Sequence, residues 1–567
     1  MFSAPADKWI DTDIVFLLEV TWGSRIYRFS SFPIAVGDYF FEGGLEDPEV
    51  NLSIDSGFNI DGDSIPFRLV FPVDVAYNMG IGNLIDGSIG ELSYVFHKSG
   101  ISQQNYNDRY IIFKGIVSEP IYGHIDQPKG YVEFSLEERV YVEEVDLLTA
   151  IIGTAGKVDN TDISNPDKAG SSPLTAISTA GIVDVLDVHK GKPFPVVIGR
   201  SGFAYSLGDM TPRDNILSPA YLIGIGLTGT LPAYFLVAGH LVEATNMKIY
   251  DSEGNSDTGA VDTWVNANND IFSFCAINFN STNLKNAKNE EDIEYYCTWD
   301  VKGGYPSPYN EGALEGGLDI VLWCLEMVTK DIDYDAFFAL MPIINKYKFA
   351  GYINEPINPI EFITNHIIDF LPIDLQVGPK GIRPIWDISI SGGYVTATES
   401  ITADPSFFRI TPLETSTDYS SIVNELLFDF AKNSIKDKYS QVVRILPDAP
   451  FFNRQGRWFK FSNEYAYKSF NLFGRRSIGL ESDFIYDYET AVQVAEDYIK
   501  KNSLPARKIV YSAAPKYGYL WIGDIVELTD TDINLSSTKC QIIGKKWTGS
   551  NWELTLKLEN IAITGVN

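Results

Sequence analysis

Short stretches in which apolar and polar residues alternate recur along most of the chain. The stretch DIVFLLEVTWGSRIYRFSS contains two of them, separated by Gly23 and Ser24. This pattern predicts a β-hairpin in which Trp22 and Arg25 flank a two-residue turn. The stretch GYVEFSLEERV and the closing stretch NWELTLKLEN alternate in the same way. Many short strands at this spacing are typical of a β-barrel or a β-sandwich.

The segment YLWIGDIVELTD, from Tyr519 to Asp530, has the same character near the end of the chain. Its Gly-Asp step followed by alternation predicts a strand that is entered from a tight turn and has one buried face. No residue type in the segment stands out as catalytic. We therefore interpret it as scaffold that holds a barrel wall in register.

Other stretches have helical periodicity instead. Gly317–Lys330 is apolar around most of its circumference, and the following stretch DYDAFFALMPIINKY continues with an expected break at Pro342. A third helix is predicted at Tyr488–Asn502, which reads YETAVQVAEDYIKKN.

The stretch KFAGYINEPINPIEFITNHIIDFLP predicts a strand followed by a docked amphipathic helix. The strand runs through Phe349 to Ile353. Asn358 is a suitable N-cap, Pro359 fits the first helical position, and Glu361 stands three residues after the cap.

At 567 residues the chain is too long for one hydrophobic core, and shifts in composition divide it into parts. The first and last parts look alike in kind, since each is a body of strands that ends in a long alternating strand. We predict a first barrel-like β domain over 1–145, a connection over 146–200, an inserted mixed α/β domain over 201–345, a strand–helix segment over 346–400 and a C-terminal β domain with one helix over 401–567.

The formal net charge is −31, from 44 basic and 75 acidic residues scattered along the chain. Such a surface repels phosphate, and no basic stripe is present that could bind DNA by counterion release. Specific nucleic-acid binding is therefore not expected.

The four cysteines are far apart and form no C-x-x-C motif, so we expect reduced core residues instead of disulfides or a zinc ribbon. The start MFSAPADKWIDTD lacks the basic and apolar regions of a signal peptide, which predicts synthesis and folding in a cytoplasm. Ile216–Val242 carries no charged residue but is interrupted by Pro219 and Pro232, which favours buried strands over a membrane span.

Candidate chemistry is weak throughout. The pattern formed by Gly224, Gly226 and Gly229 matches a dinucleotide-binding loop, but Pro232 follows where a helix is needed. The acids at Asp61 and Asp63 hint at a calcium loop, whose first position would fall on Gly57 and its last on Arg68, so a plain turn is favoured.

No two of the five histidines have metal-ligand spacing, and neither HExxH nor G-x-S-x-G occurs. Trp299-Asp300 and Trp386-Asp387 place an aromatic ring beside an acid, as sugar sites do, with a half-buried Trp at a strand end as the plainer interpretation. We predict no catalytic, cofactor-binding or metal-binding residue.

Three groups of motifs, in order along the chain, resemble the tail hub family of bacteriophages, which includes baseplate hubs, tail-tip hubs and gene transfer agent hubs. The first group is RIYRF with RYIIFKGIVSEP. The second is GKPFPVVIG with FAGYINEPINPIEFITNHIIDFL and GIRP. The third is ETAVQVAEDYI with YLWIGDIVELTD and WELTLKL. These motifs span most of the chain, but each is a short apolar pattern without a distinctive chemical group.

The resemblance implies a fold and a set of partners. It implies a mainly β, multidomain chain with α+β insertions and two tail-tube-like barrels, assembled as a homotrimer whose barrels build a pseudo-sixfold ring. Such a ring would join a tail tube or distal tail protein to a trimeric spike or central fibre at the tail tip of the virion, with the tape measure protein as a further partner. DNA would pass through it without specific binding. No lysozyme-like or peptidase-like insert is recognisable.

Two other classes stay open at this point. A polysaccharide-active enzyme would turn over glycans and depend on one carboxylate, whereas a glycan-binding adhesin would bind a cell surface as purified protein.

Overall fold

The computed structural model describes most of the chain from residue 13 onwards. The described residues are 13–46, 48–53, 61–72, 86–97, 105–126, 129–139, 195–199, 218–225, 233–242, 246–265, 271–277, 294–298, 304–378, 380–390, 396–404, 406–411, 414–415, 419–447, 453–455 and 458–559.

Nine strands lie in the described residues of the first part of the chain. They are β1 (Asp13–Trp22), β2 (Arg25–Ser30), β3 (Ile34–Val36), β4 (Tyr39–Gly43), β5 (Asn51–Ser53), β6 (Asp61–Pro72), β7 (Ile89–His97), β8 (Tyr110–Asp126) and β9 (Lys129–Arg139). As predicted, β1 and β2 form a hairpin in which Trp22 pairs with Arg25, and Gly23 takes the positive φ of 57° that the turn requires.

Strands β2, β1, β7, β8, β9 and β6 are hydrogen-bonded in that order. Gly44–Glu46, which continue from β4, close this sheet into a barrel. Leu45 donates from its backbone N–H to the carbonyl of Ser30 on β2 at 3.1 Å, and Val70 on β6 donates to the carbonyl of Gly44 at 2.8 Å. We call this closed sheet the first barrel.

The middle of the chain carries a second large sheet. Its elements are β10 (Val196–Ile198), β11 (Ser218–Pro219), β12 (Tyr221–Ile225), β13 (Ala233–Ala238), β14 (Asn246–Asp251), β15 (Ser256–Val265), β16 (Ile271–Ile277) and β17 (Tyr295–Thr298), of which β11 to β17 form a seven-stranded sheet. The uncharged stretch Ile216–Val242 supplies β11, β12 and β13, as predicted. None of the described helices has the length and apolar character that a membrane crossing requires.

Helices and short strands follow. They are α1 (Gly317–Val328), α2 (Tyr334–Ile344), β18 (Gly351–Ile353), α3 (Pro359–His366), β19 (Ile373–Gly378) and β20 (Gly381–Trp386). The predicted cap is confirmed, because the Asn358 side chain accepts a hydrogen bond from the N–H of Ile360 and Pro359 opens α3. The predicted break at Pro342 is wrong. Pro342 lies within α2, only two residues before its end.

The last part contains β21 (Glu399–Thr402), β22 (Phe407–Arg409), β23 (Glu414–Thr415), β24 (Glu425–Asn433), β25 (Lys438–Leu446), β26 (Asn453–Gln455), β27 (Trp458–Ser462), α4 (Glu464–Phe473), β28 (Ser477–Glu481), α5 (Tyr488–Asn502), β29 (Arg507–Ala513), β30 (Ile525–Asp530), β31 (Leu535–Trp547) and β32 (Trp552–Leu558). Short 3-10 helices lie at Tyr106–Asp108, Ile368–Phe370, Tyr419–Ser421, Pro515–Tyr519 and Thr531–Ile533. The prediction of one helix after residue 401 is wrong, since α4 precedes the expected α5 and is capped by the side chain of Asn463.

Strands β21, β30, β31, β32, β29 and β22 form the second barrel, in that order. Its two end strands are linked by backbone hydrogen bonds. The backbones of Asp404 and Phe407 exchange two hydrogen bonds, each 3.0 Å long. Strand β23 pairs with β29, and β24 to β28 form a separate five-stranded sheet that packs against α4 and α5.

Two large apolar cores result. One runs through both barrels, and the other joins the seven-stranded sheet, α1 to α3 and the β24–β28 sheet. The chain is mainly β with mixed α and β parts and is multidomain, which confirms the predicted fold class. The residue limits of the five parts stay a prediction.

Asp387 ties the second barrel to the helical part of the chain. Its carboxylate is 2.8 Å from Nζ of Lys557 on β32 and 3.0 Å from Nζ of Lys501 on α5. Ser389 donates to the same carboxylate from its backbone N–H at 2.9 Å and from its hydroxyl at 2.5 Å. Burial alone would raise the pKa of Asp387, but the two ammonium groups and these hydrogen bonds hold it below the usual range.

We predict that Asp387→Asn lowers the free energy of unfolding by on the order of 3 kcal/mol at pH 7, because two cations lose a buried partner. The pKa of Asp387 is depressed in the folded state, so its contribution is complete above the unfolded value of about 3.9 and is lost as the pH falls below it. Urea unfolding followed by tryptophan fluorescence measures both effects. Asp335→Asn is the matched control, since its ion pair with Lys380 is 86% exposed on the Asp335 side, and we expect a change within about 0.5 kcal/mol. Equal shifts for the two variants would contradict the assignment.

Candidate functional site: the paired barrels and their junction

The two barrels share the order of five strands and differ at the next one, since β1 lies antiparallel to β7 whereas β21 lies parallel to β30. In the first barrel β7, β8 and β9 form an antiparallel meander, and β6, which precedes them in sequence, pairs with β9. In the second barrel β30, β31 and β32 form the meander, and β29 pairs with β32. The closing strands, Gly44–Glu46 and β22, lie antiparallel to β6 and β29. This part of the second barrel therefore repeats the topology of the first.

The registers of the two meanders also agree. Glu91 pairs with Lys114 across β7 and β8, and Glu527 pairs with Lys539 across β30 and β31. Extending this correspondence through the paired strands matches buried residues of one barrel with buried residues of the other. The matched pairs are Leu45 with Phe407, Ile65 with Ile509, Phe67 with Tyr511, Leu69 with Ala513, Leu92 with Leu528, Val117 with Ile542, Val132 with Trp552, Phe134 with Leu554 and Leu136 with Leu556.

Each meander starts at a glycine with a positive φ, which is 77° at Gly87 and 89° at Gly523. Gly87 donates to the carbonyl of Val117 at 2.8 Å, and Gly523 donates to the carbonyl of Ile542 at 2.7 Å. The return bonds, from Val117 and Ile542 to the carbonyl of the residue after each glycine, are 2.8 and 3.0 Å long. The two turns are therefore built by the same hydrogen bonds.

A short sequence repeat underlies this correspondence, and sequence reasoning missed it. Residues 87–93 read GSIGELS and residues 523–529 read GDIVELT, so Gly, Ile, Glu and Leu recur at the same spacing. The second copy lies inside the segment YLWIGDIVELTD, for which the alternating pattern predicts a scaffold role.

The barrels are joined by β5, a strand that comes from the first part of the chain and pairs with the second barrel. β5 follows the closing strand of the first barrel but pairs with β31 of the second, with Leu52 opposite Lys545. Trp547 extends this pairing, since its N–H donates to the carbonyl of Val50 at 2.9 Å.

Aromatic side chains from both barrels pack against one another at the junction of the barrels. Phe16 of the first barrel meets Trp547 edge-on, with ring centroids 5.6 Å apart. Tyr94 lies 6.4 Å from the ring of Trp552 and donates its hydroxyl hydrogen to the carbonyl of Pro515 at 3.2 Å. These contacts bury rings from both barrels in one core.

Lys545, which is only 2% exposed, holds the loop Pro515–Asp524 in place through hydrogen bonds to its backbone. Its ammonium group donates to the carbonyls of Gly518 and of Leu520, the latter at 3.0 Å, and lies 4.5 Å from the ring centroid of Trp552. Burial lowers the pKa of Lys545 to about 7, although Asp524 opposes this shift.

The same loop contacts the β19–β20 hairpin. Arg383 on β20 donates to the carbonyl of Ile522 and lies 3.5 Å from a carboxylate oxygen of Asp524. Asp524 in turn accepts a hydrogen bond from the N–H of Trp521 at 2.7 Å. The loop therefore joins the first barrel, the second barrel and the middle of the chain. We use the term junction for β5, this loop and the ring cluster, which is the set of aromatic side chains formed by Phe16, Tyr94, Trp547 and Trp552.

The residues considered for chemistry are not brought together. Trp386 is buried and Asp387 is paired with two lysines, so this pair is structural. Trp299 and Asp300 lie outside the described residues. Gly224 lies within β12 at a register shift, and the other two glycines of that pattern are outside the described residues.

The proposed calcium loop is not assembled in the described part of the chain. Asp61 and Asp63 belong to the start of β6, and Gly57 is outside the described residues. Within the described ranges, no group of three or more His, Cys, Asp or Glu side chains is placed to hold a metal ion. The prediction that the chain has no catalytic, cofactor or metal site stays a prediction.

His240 is a core residue. Its Nε2 accepts the N–H of Val197 at 2.8 Å and its Nδ1 lies 2.8 Å from the carbonyl of Leu241, and burial lowers its pKa to about 4. Its neutral ring therefore fixes β10 to the seven-stranded sheet. All four cysteines are buried free thiols, as predicted.

Comparison with known proteins gives structures of tail proteins and related assemblies. No family model matches the chain, and no curated protein matches it. A tail protein from Neisseria meningitidis is similar over 96% of this chain and 97% of its own, with 9% identity and a TM-score of 0.35. The prophage tail protein gp18 from Listeria monocytogenes is similar over 64% of this chain and 94% of its own, with 10% identity and a TM-score of 0.22. A gene transfer agent virion chain covers 51% of this chain and 81% of its own, with 12% identity and a TM-score of 0.16. These TM-scores are too low to establish a shared fold, so the functional proposal rests on the geometry described above.

We predict that Lys545→Met removes a pH dependence of stability. Between the folded pKa of about 7 and the unfolded value of about 10.4, the unfolded chain binds a proton that the folded chain does not, so Lys545 makes stability rise with pH. The wild type should therefore gain on the order of 2 kcal/mol over the variant between pH 7 and pH 9, measured by urea unfolding. Lys546→Met, at the exposed neighbouring position, should leave the slope unchanged. Parallel curves for wild type and Lys545→Met would refute this account.

We also predict that Gly518→Ala loosens the junction. An added Cβ would lie 2.4 Å from Nε1 of Trp552 and 2.5 Å from the Tyr94 hydroxyl, and such overpacking costs about 1–3 kcal/mol. Limited proteolysis should cut the variant faster between the barrels, and its urea midpoint should fall. Gly479→Ala is the control, because nothing lies within 4 Å of its added Cβ. The same behaviour in both variants would show that the packing at Gly518 is not limiting.

Proposed function

We propose that this chain is a structural tail hub protein of a bacteriophage, acting as a homotrimeric ring at the tail tip of the virion. The ring joins the hexameric tail tube, or a distal tail protein, to the trimeric spike or central fibre of the tip. Its central channel lets DNA pass, and the tape measure protein is a further partner. The protein works by assembly geometry and needs no catalytic step.

The observation that carries this proposal is the equivalence of the two barrels. Two modules that share five strands in the same order and register, joined in one chain, let three chains present six similar modules. A ring of that kind has approximate sixfold symmetry on the surfaces that the barrels share and threefold symmetry elsewhere. It can therefore contact a sixfold partner and a threefold partner at once.

The rigid junction supports the same conclusion. Separate modules linked by a flexible segment would not keep a fixed angle, whereas β5, the ring cluster and Lys545 fix the two barrels in one body. A closed ring requires such a fixed angle between neighbouring modules.

The charge fits a channel for DNA. The chain carries a formal net charge of −31, so three copies would repel a passing duplex within a screening length of about 8 Å. A wall of this kind does not hold DNA.

Native mass spectrometry of the purified chain tests the proposal. The expected species has three times the 63.2 kDa of one chain, and negative-stain averages should show a threefold ring with a central opening. A monomer with a deep acidic cleft, or an even-numbered oligomer, would contradict it.

A further inference from the structure

One face of the first barrel carries an exposed aliphatic row. Ile26 on β2, Thr21 on β1, Ile89 on β7 and Ile116 on β8 are successive cross-strand partners, so their side chains lie side by side. Ile26 is 48% exposed and Ile89 is 50% exposed. The row ends at Glu137 on β9, the cross-strand partner of Ile116. We call this set the isoleucine row.

The adjacent row of the same face is satisfied within the barrel. Arg28 binds Glu19 at 2.5 Å, and Arg109 binds both Glu19, at 3.6 Å, and Glu91. The isoleucine row therefore borders a closed set of ion pairs and is itself open.

The matching face of the second barrel is covered by the chain. The register correspondence matches Ile89 with Ile525, Ile116 with Gln541 and Glu137 with Lys557. Gln541 donates from its side-chain amide to the carbonyl of Trp386 at 2.7 Å, and Lys557 binds Asp387 at 2.8 Å.

The cover also shields the start of the meander. A Cβ added at Gly523, two residues before Ile525, would lie 2.6 Å from the end of the Ile385 side chain. Ile525 is accordingly only 3% exposed, whereas its counterpart Ile89 is half exposed. Residues 385–388 thus act as a built-in occupant of this face on the second barrel.

The isoleucine row therefore breaks the similarity of the two barrels. If the chain forms the proposed ring, a sixfold partner can use only surfaces that both barrels present, whereas this open face occurs once per chain and so three times per ring. It is suited to a partner present in three copies.

The charges define what that partner must carry. On the second barrel the cover places Asp387 against Lys557, but on the first barrel the matching residue is Glu137, which accepts a hydrogen bond from the Ser118 hydroxyl. We propose that the isoleucine row binds an extended, aliphatic segment of a different polypeptide that has a lysine or arginine facing Glu137. The cover segment of a second copy of this chain does not fit, because it would place an acid against Glu137 and is already bound through Asp387.

Two synthetic peptides test this directly. One has the sequence of residues Arg383–Ile390, and the other is the same peptide carrying Asp387→Lys. Fluorescence anisotropy with the full-length chain should show that the lysine peptide binds at least tenfold more tightly, with one site per chain. Tighter binding of the unmodified peptide would mean that a second copy occupies the row and would overturn the proposal, as would two sites per chain.

Charge exchange separates a specific site from general attraction to an acidic protein. Glu137→Lys in the full-length chain should reverse the preference between the peptides by at least tenfold. Ile89→Glu should weaken binding of the lysine peptide at least tenfold, whereas Leu472→Glu, at a side chain that is 68% exposed on α4, should not. Circular dichroism checks that each variant is folded. Unchanged preference in Glu137→Lys would overturn the proposal.

The outcome is independent of ring formation. A monomer with one charge-selective peptide site per chain would support this inference and contradict the proposed trimer. A trimer that binds both peptides equally would support the proposed ring and contradict this inference.

Discussion

The arrangement of the two barrels depends on one lysine side chain that is buried at their junction. The amino group of Lys545 is removed from water, which lowers its pKa to about 7, and it donates to two loop carbonyls beside the face of Trp552. A buried polar group of this kind is stable only with its hydrogen bonds made, so it holds the loop Pro515–Asp524 in one conformation. That loop then positions Pro515 against Tyr94 of the first barrel and Asp524 against Arg383 of the middle hairpin. Three parts of the chain are thereby fixed by one side chain.

Equivalence and difference of the barrels have separate consequences. The shared register, seen in Glu91 with Lys114 and Glu527 with Lys539, gives two modules of one kind. The cover of residues 385–388 makes the outer faces unlike, since Gln541 and Lys557 are engaged while Ile89 stays exposed. A ring of such chains would have sixfold features where the barrels agree and threefold features where they differ. This combination is what a connector between partners of different symmetry requires.

Local patterns predicted local structure well. The turn between Trp22 and Arg25 and the Asn358 cap follow from two to four neighbouring residues, and both are found. The break predicted at Pro342 is not found, since α2 continues for two residues beyond it and ends at Ile344. The junction was out of reach, since Tyr94 and Pro515 are 421 residues apart in the sequence and no local pattern encodes such a contact. The repeat GSIGELS and GDIVELT was visible in principle, but four identities become meaningful only when both copies are seen to start the same meander.

The most direct test of the central claim is an electron cryomicroscopy map of the purified assembly, in which the relation between the two barrels of one chain is measured about the assembly axis. The account predicts a threefold ring in which a rotation of about 60° places the first barrel on the second, at equal radius from the axis. Barrels at different radii, or a rotation far from that angle, would contradict the account.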